Sequence, residues 1–177
     1  VTMEEPTGAV QPRKTSGGDV PGRDVAKLSV ESDGSDLTLT ASAGADISGD
    51  FATDLVQMYV DRDNNAGTGT DAMWGEEKGF ELRMKLNVCI KYEGGGEACS
   101  GGLDAKPMAY YAVAIVEDLA SGNEVNSAFD VPQTPIAGKV VSAKVPYADL
   151  GVKPGQTIRP VAPSIASSLE LAGPLSP

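Results

Sequence analysis

The amino-acid sequence predicts an all-β fold, an antiparallel β-sandwich or jelly roll of about eight strands, on three observations. Apolar residues recur at every second position through most of the chain. Clusters of Gly, Asp, Asn and Ser separate those runs, as turns do between strands. No stretch of about ten residues or more carries a convincing apolar stripe at the helical period.

Residues 1–23, "VTMEEPTGAVQPRKTSGGDVPGR", are rich in Pro and Gly and have no apolar period, so they read as an extended arm or linker. Residues 24–165 read as the sandwich domain, and residues 166–177, which end in "GPLSP", as a second arm. Within the domain, "VAKLSV" puts Ala26, Leu28 and Val30 on one face. "SDGSD" at 32–36 is a turn signal, and "LTLTASA" then puts Leu37, Leu39 and Ala41 on one face, which makes a hairpin. After the loop "GADISGDFAT", the run "DLVQMYVD" aligns Val56, Met58 and Val60. The clearest strand is "GFELRMKLNV", where Phe80, Leu82, Met84, Leu86 and Val88 alternate with Glu81, Arg83, Lys85 and Asn87. "MAYYAVAIVED" is apolar on both faces and predicts a central strand. "GNEVNSAF" and "GKVVSAKVPYADLG" read as further strands, the latter closing in one helical turn. "GQTIRPVAP" reads as a last strand whose two prolines suit an edge.

Composition removes most function classes. The chain has 177 residues, enough for one domain with arms. Its formal charge is −11, with no His and no block of Lys or Arg, so nucleic acid and anionic membrane are not expected partners. The longest apolar run, "AYYAVAIV" at 109–116, is far short of the roughly 20 residues a spanning helix needs, so no membrane insertion is expected. Without His there is no Ser/His/Asp triad, no Cys/His pair and no His-containing zinc site. The two cysteines cannot make a four-thiolate centre within one chain. A start at Val1 without a leader reads as a processed mature form or a trimmed one. Cys89 and Cys99 enclose the Gly-rich "IKYEGGGEA" at the end of a strand, an arrangement that favours a disulfide and therefore an oxidising, extracellular or cell-surface location.

The most distinctive stretch is "DRDNNAGTGTDAMWGEEKGFE", residues 61–81. Asp61, Asp63 and Asn65 follow a strand at alternate positions, as the first ligands of a calcium loop do, with Asp71 and Glu77 as further oxygen donors and Glu76 and Glu81 close in sequence. The EF-hand pattern fails, because Ala66 stands where Gly is needed and Ala72 where Glu is needed. Two readings stay open here: a calcium site, and a solvated turn whose Asx side chains satisfy the loop backbone. Asp61 and Glu81 can also neighbour one another at the mouth of one sheet, the arrangement a carboxylate hydrolase requires. With one Trp to line a polysaccharide cleft, no enzyme is expected.

The order "GGDVPGRDVAKLSVESDGSDLTLT", then "YVDRDNNAGTG", then "GFELRM", resembles the DOMON-like extracellular sandwiches, among them family-nine carbohydrate-binding modules and glucodextranase C-terminal-type modules. The resemblance spans residues 17–165 and rests on Asp19, Asp24, the strand-to-"DRDNN" junction and the Gly79/Glu81 strand start. It implies a non-catalytic secreted or cell-surface binding or accessory module that takes a glycan or a protein surface, with sugars stacked on aromatic rings and calcium supporting the loops. Trp74 would be the main platform, with Tyr92, Tyr110 and Tyr111 as lesser ones; the alternative for Trp74 is a lid over the core. Tyr110 and Tyr111 are adjacent on one strand and point to opposite faces. Another branch of the group holds haem b, for which only Met58, Met84 or Met108 with Lys139 or Lys144 are available here. The competing class is a structural subunit of an extracellular assembly, self-associating through its arms by strand addition.

Overall fold

The computed structural model describes residues 2–4, 14–15, 18–19, 25–49, 52–71, 78–128, 130–153, 156–163 and 168–170. Among these there is no helix. The strands are β1 (Thr2–Glu4), β2 (Lys14–Thr15), β3 (Gly18–Asp19), β4 (Val25–Ser32), β5 (Asp36–Ala43), β6 (Thr53–Asp61), β7 (Leu82–Tyr92), β8 (Glu97–Ala98), β9 (Pro107–Asp118), β10 (Thr134–Pro135), β11 (Val140–Pro146), β12 (Arg159–Pro163) and β13 (Ser168–Glu170).

All pairings between them are antiparallel. One sheet runs β1-β4-β5-β11, the larger one β10-β9-β7-β6-β12-β13, and β2-β3 is a separate small ladder. The predicted first hairpin is β4–β5. Asp33 shapes its turn by accepting the backbone N–H groups of Ser35 and Asp36, and these bonds together with Lys144 hold its carboxyl down at about 2. β8 pairs with the end of β7 beyond the reach of β6, closing a short hairpin.

The two sheets bury one core between them. Leu28, Val30, Leu37, Leu39, Ala41, Val141, Ala143 and Val145 come from the small sheet; Met58, Val60, Leu82, Met84, Leu86, Ala112, Ala114 and Val116 come from the large one. This is a sandwich; the strand order by itself does not make it a jelly roll. Met58 and Met84 are cross-strand partners inside this core, where they fill space, and Lys144 is engaged with Asp33 and Asp36.

Three local expectations are corrected. Residues 122–129, read as a strand, form a loop among the described positions, with a single isolated bridge between Glu117 and Glu124. The Asn126 side chain takes a strand's place there, accepting the Val116 N–H and reaching the Ala114 carbonyl. β9 lies between β7 and the two-residue β10, so it has a neighbour on each side but a short one on its outer side. Its second apolar face is buried because loops cover it, giving a small cluster of Cys89, Tyr111, Val113, Ile115 and Ala128. β12 is not an edge, since β13 pairs on its outer side. Residues 147–151 make successive turns rather than a helical turn.

The outer face of the large sheet carries its charges in pairs. Glu117, 9% exposed, accepts from Arg83 at 2.6 and 2.7 Å and from Lys85 at 2.5 Å. Burial pushes the Glu117 carboxyl up, and the two cations outweigh that, leaving it below its ordinary value. Cys89 of β7 and Cys99, the residue after β8, form the expected disulfide.

Two outcomes follow from these contacts. Reduction of the disulfide is expected to lower unfolding free energy by about 2.5 to 3 kcal/mol in urea titration, the chain-entropy value for so short a loop. For Glu117, a lowered folded pKa means its pairing stabilises fully above the ordinary carboxylate value and is lost as pH falls through the folded one. Glu117→Gln should therefore flatten the acid limb of the stability curve relative to wild type. At neutral pH it should cost about 3 to 5 kcal/mol by leaving Arg83 and Lys85 without their anion.

Candidate functional site

The 61–81 segment connects β6 to β7 and folds back on itself. Asp61, the last residue of β6, lies opposite Arg159 of β12 in the ladder and is 1% exposed. A buried carboxylate needs partners for both oxygens. Oδ2 accepts from Arg159 Nε at 3.2 Å, and Oδ1 accepts the Asn65 backbone N–H at 3.0 Å. The second bond pulls the chain into a tight turn through Asn64, whose φ of 55° lies in the left-handed region that Asn tolerates. Asn65 Oδ1 then accepts the Gly67 N–H at 3.0 Å. That is the Asx turn the sequence left open as one reading.

Further along, Thr70 and Phe80 exchange backbone hydrogen bonds of 2.8 and 3.0 Å, closing the loop at its base. Two glycines permit the closure. A Cβ on Gly69 would sit 2.4 Å from the Phe80 carbonyl oxygen, and one on Gly79 would sit 2.5 Å from Ala66 Cα; both residues have positive φ. Beneath them Tyr59 and Phe80 pack ring to ring, and the Arg159 guanidinium lies 5.1 Å from the centre of the Phe80 ring.

This closure delivers Glu81 to the start of the loop. Its Oε2 accepts the Arg62 N–H at 2.7 Å, while Oε1 lies 3.1 Å from the Thr68 hydroxyl. The same hydroxyl is 3.0 Å from both carboxylate oxygens of Asp63 and 2.9 Å from the Asn65 carbonyl oxygen. One hydroxyl has one hydrogen, so it serves one of these four oxygens at a time. Ligand atoms of Asp61, Asp63 and Glu81 lie within 4.8 Å of one another, and the triad can hold a metal ion. Arg159 brings one positive charge to three carboxylates.

Asp61 and Asp63 thus stand where the sequence put them. Asn65 turns its side-chain oxygen to the loop backbone, and its carbonyl oxygen faces the cluster instead. Asp71 is exposed, 3.5 Å from Lys78, and is not part of the triad. Glu81 takes the third place, a position the alternation of "GFELRM" marks only as the wet face at a strand start. Arg159 is 98 residues from Asp61 in the chain, and no local pattern points to it. Glu77 and Trp74 lie outside the described residues.

Of the tyrosines expected as lesser platforms, the structure removes Tyr92. Tyr92 is fully buried, and its hydroxyl accepts the Leu103 N–H, so its ring offers no face to a ligand. Tyr110 is half-buried against the core and donates to the Gly49 carbonyl. Tyr111 points to the opposite face, as adjacent strand residues must, and donates to Glu97; burial, and then that bond, push its phenol above the ordinary range.

No family model matches this chain, and no curated protein or solved structure matches it.

The loop closure has a direct test. Gly79→Ala forces a left-handed backbone on a side chain that also collides with Ala66, and it is expected to cost at least about 1 to 3 kcal/mol in urea unfolding. Gly94→Ala, in a turn of similar φ with open space around it, should cost less, so the difference between the two isolates the collision.

Proposed function

We propose that this chain is a non-catalytic, extracellular binding or accessory module whose 61–81 loop is set by a calcium ion. The observation that carries the calcium reading is the gathering of ligand atoms of Asp61, Asp63 and Glu81 within 4.8 Å of one another, beside a Thr68 hydroxyl whose one hydrogen faces oxygens of Asp63, Asn65 and Glu81. An all-oxygen donor set of carboxylates, carbonyl and hydroxyl suits a hard cation, and calcium accepts irregular arrangements of such donors more readily than magnesium does. The charge left by three carboxylates and one guanidinium suits a divalent ion.

The extracellular part rests on the Cys89–Cys99 disulfide. Among the described residues no helix is long and apolar enough to cross a membrane. The choice of a module over an assembly subunit is supported by the arms: β1 pairs with β4 and β13 with β12, so both add to sheets of their own chain. The resemblance to DOMON-like sandwiches points the same way.

Calorimetric titration of chelator-treated protein with calcium is expected to show saturable heat. At free calcium about 100 times Kd, stability should rise by about 2.7 kcal/mol, equivalent to a Tm increase of roughly 5 to 10 °C. Asp63→Asn, an exposed change, should abolish the shift while leaving the fold intact. Absence of heat and of any Tm change in millimolar calcium would end this reading.

A further inference from the structure

Four strands end the two main sheets. β1, β10 and β13 are two or three residues long, and β10 carries Pro135. β11, at the end of the small sheet, runs for seven residues, Val140–Pro146, and among the described residues no strand pairs with its outer side. A long open edge offers unpaired backbone groups to another chain, and sheets usually blunt it with a bulge, a charge pointing inward or a lysine held over the edge. β11 has none of the three. Its register with β5 is unbroken from Val140 to Pro146, and the side chains it points inward are Val141, Ala143 and Val145. Lys144 is drawn back over its own sheet, its Nζ 3.0 Å from Asp33 and 3.6 Å from Asp36 at the β4–β5 turn.

The phase of the backbone decides which groups are open. The Ala43 N–H donates to the Lys139 carbonyl at 2.8 Å, so the odd-numbered residues of β11 bond to β5, and the N–H and C=O groups of Val140, Ser142 and Lys144 point away from it. Val140 bridges to Ala137, which leaves Ser142 and Lys144 open. This pair fits a second copy of itself. In an antiparallel contact about a two-fold axis at Ala143, Ser142 of each copy lies opposite Lys144 of the other, and the two exchange N–H···O=C bonds. An axis at Ser142 would instead set Lys144 against Val140, whose backbone is already bridged.

Side chains agree with the axis at Ala143. Val140, 49% exposed, then lies opposite Pro146 of the second copy, an apolar neighbour that brings no N–H to leave unpaired. No lysine faces a lysine, and each Lys144 ammonium is held by carboxylates of its own copy, so like charges do not oppose the contact. β11 packs over β9, whose outer side holds Val125 through the Val116 carbonyl; Val125 is 48% exposed, so more apolar surface lies on this side of the sandwich. We infer that β11 is a homodimerisation edge: two copies of this chain pair their β11 strands antiparallel about Ala143 and join their small sheets into one continuous sheet. The contact uses neither β1 nor β13, and it stands whether or not the acidic loop holds calcium.

Sedimentation velocity of the full chain, from micromolar to millimolar concentration, is expected to show a monomer–dimer equilibrium. Ser142→Pro removes an N–H that no described residue accepts, and it should abolish the dimer while circular dichroism and Tm stay close to wild type. Two further variants keep the backbone and read the register, so they decide the question even if the proline variant does not fold. Ser142→Asp sets a carboxylate opposite Lys144 of the second copy on both sides of the axis and should tighten dimerisation roughly three- to tenfold; Ser142→Lys sets like charges there and should weaken it by a similar factor. Both lose the hydroxyl contact with Thr40, so their difference isolates the charge. A chain that stays monomeric throughout would overturn the proposal, as would a dimer that a folded Ser142→Pro variant retains. Equal effects of the Asp and Lys substitutions would overturn the pairing about Ala143.

Discussion

The register of β7 is the constraint on which the rest of the molecule depends. A strand's side chains alternate between faces, so one choice of pairing fixes two surfaces at once. With Met84 opposite Met58 and Val116, the residues Leu82, Met84, Leu86 and Val88 enter the core between the sheets. The same choice sends Arg83, Lys85 and Asn87 to the other side. A slip of one residue would put a guanidinium and an ammonium into an apolar interior and expose the methionines and leucines, which is why this register has no close competitor.

The outer face then follows a gradient along β6 and β7. At one end the buried Asp61 and the Tyr59–Phe80 pair anchor a loop rich in oxygens. In the middle, Glu117 neutralises Arg83 and Lys85, allowing two cationic side chains to sit half-buried beside apolar loops. At the other end, the disulfide and the Ala52–Gly101 hydrogen bonds hold a wall over Asn87. Strands hold the polar atoms of this face in place, while the opposite face supplies the apolar burial that stabilises them.

Much of this was legible in the sequence, and what escaped it has physical reasons. Period-two alternation identified β4 to β7 and β11, because each has one face on the core and the other toward water. The cysteines announced their bond through the short Gly-rich loop between them. The two apolar faces of β9 showed in the sequence, but not what covers the second one, which is buried under loops that residue spacing does not encode. Alternation made a strand of residues 122–129, where the Asn126 side chain supplies the hydrogen bonds that a strand's backbone would have offered. In the acidic loop, spacing found Asp61 and Asp63, which are local. Glu81 and Arg159 arrive by chain closure through Gly69 and Gly79 and by ladder pairing with β12, and neither event leaves a mark at fixed spacing.

The two-faced register of β7 is tested most directly by nuclear Overhauser contacts from its side chains. The account predicts contacts from the Met84 and Leu86 methyl groups to the small-sheet residues Leu39, Val141 and Ala143, and contacts from the Lys85 and Asn87 side chains to Gln57 and to the 99–103 segment. Contacts from Lys85 or Asn87 to the small sheet, with Met84 facing the loops, would contradict it.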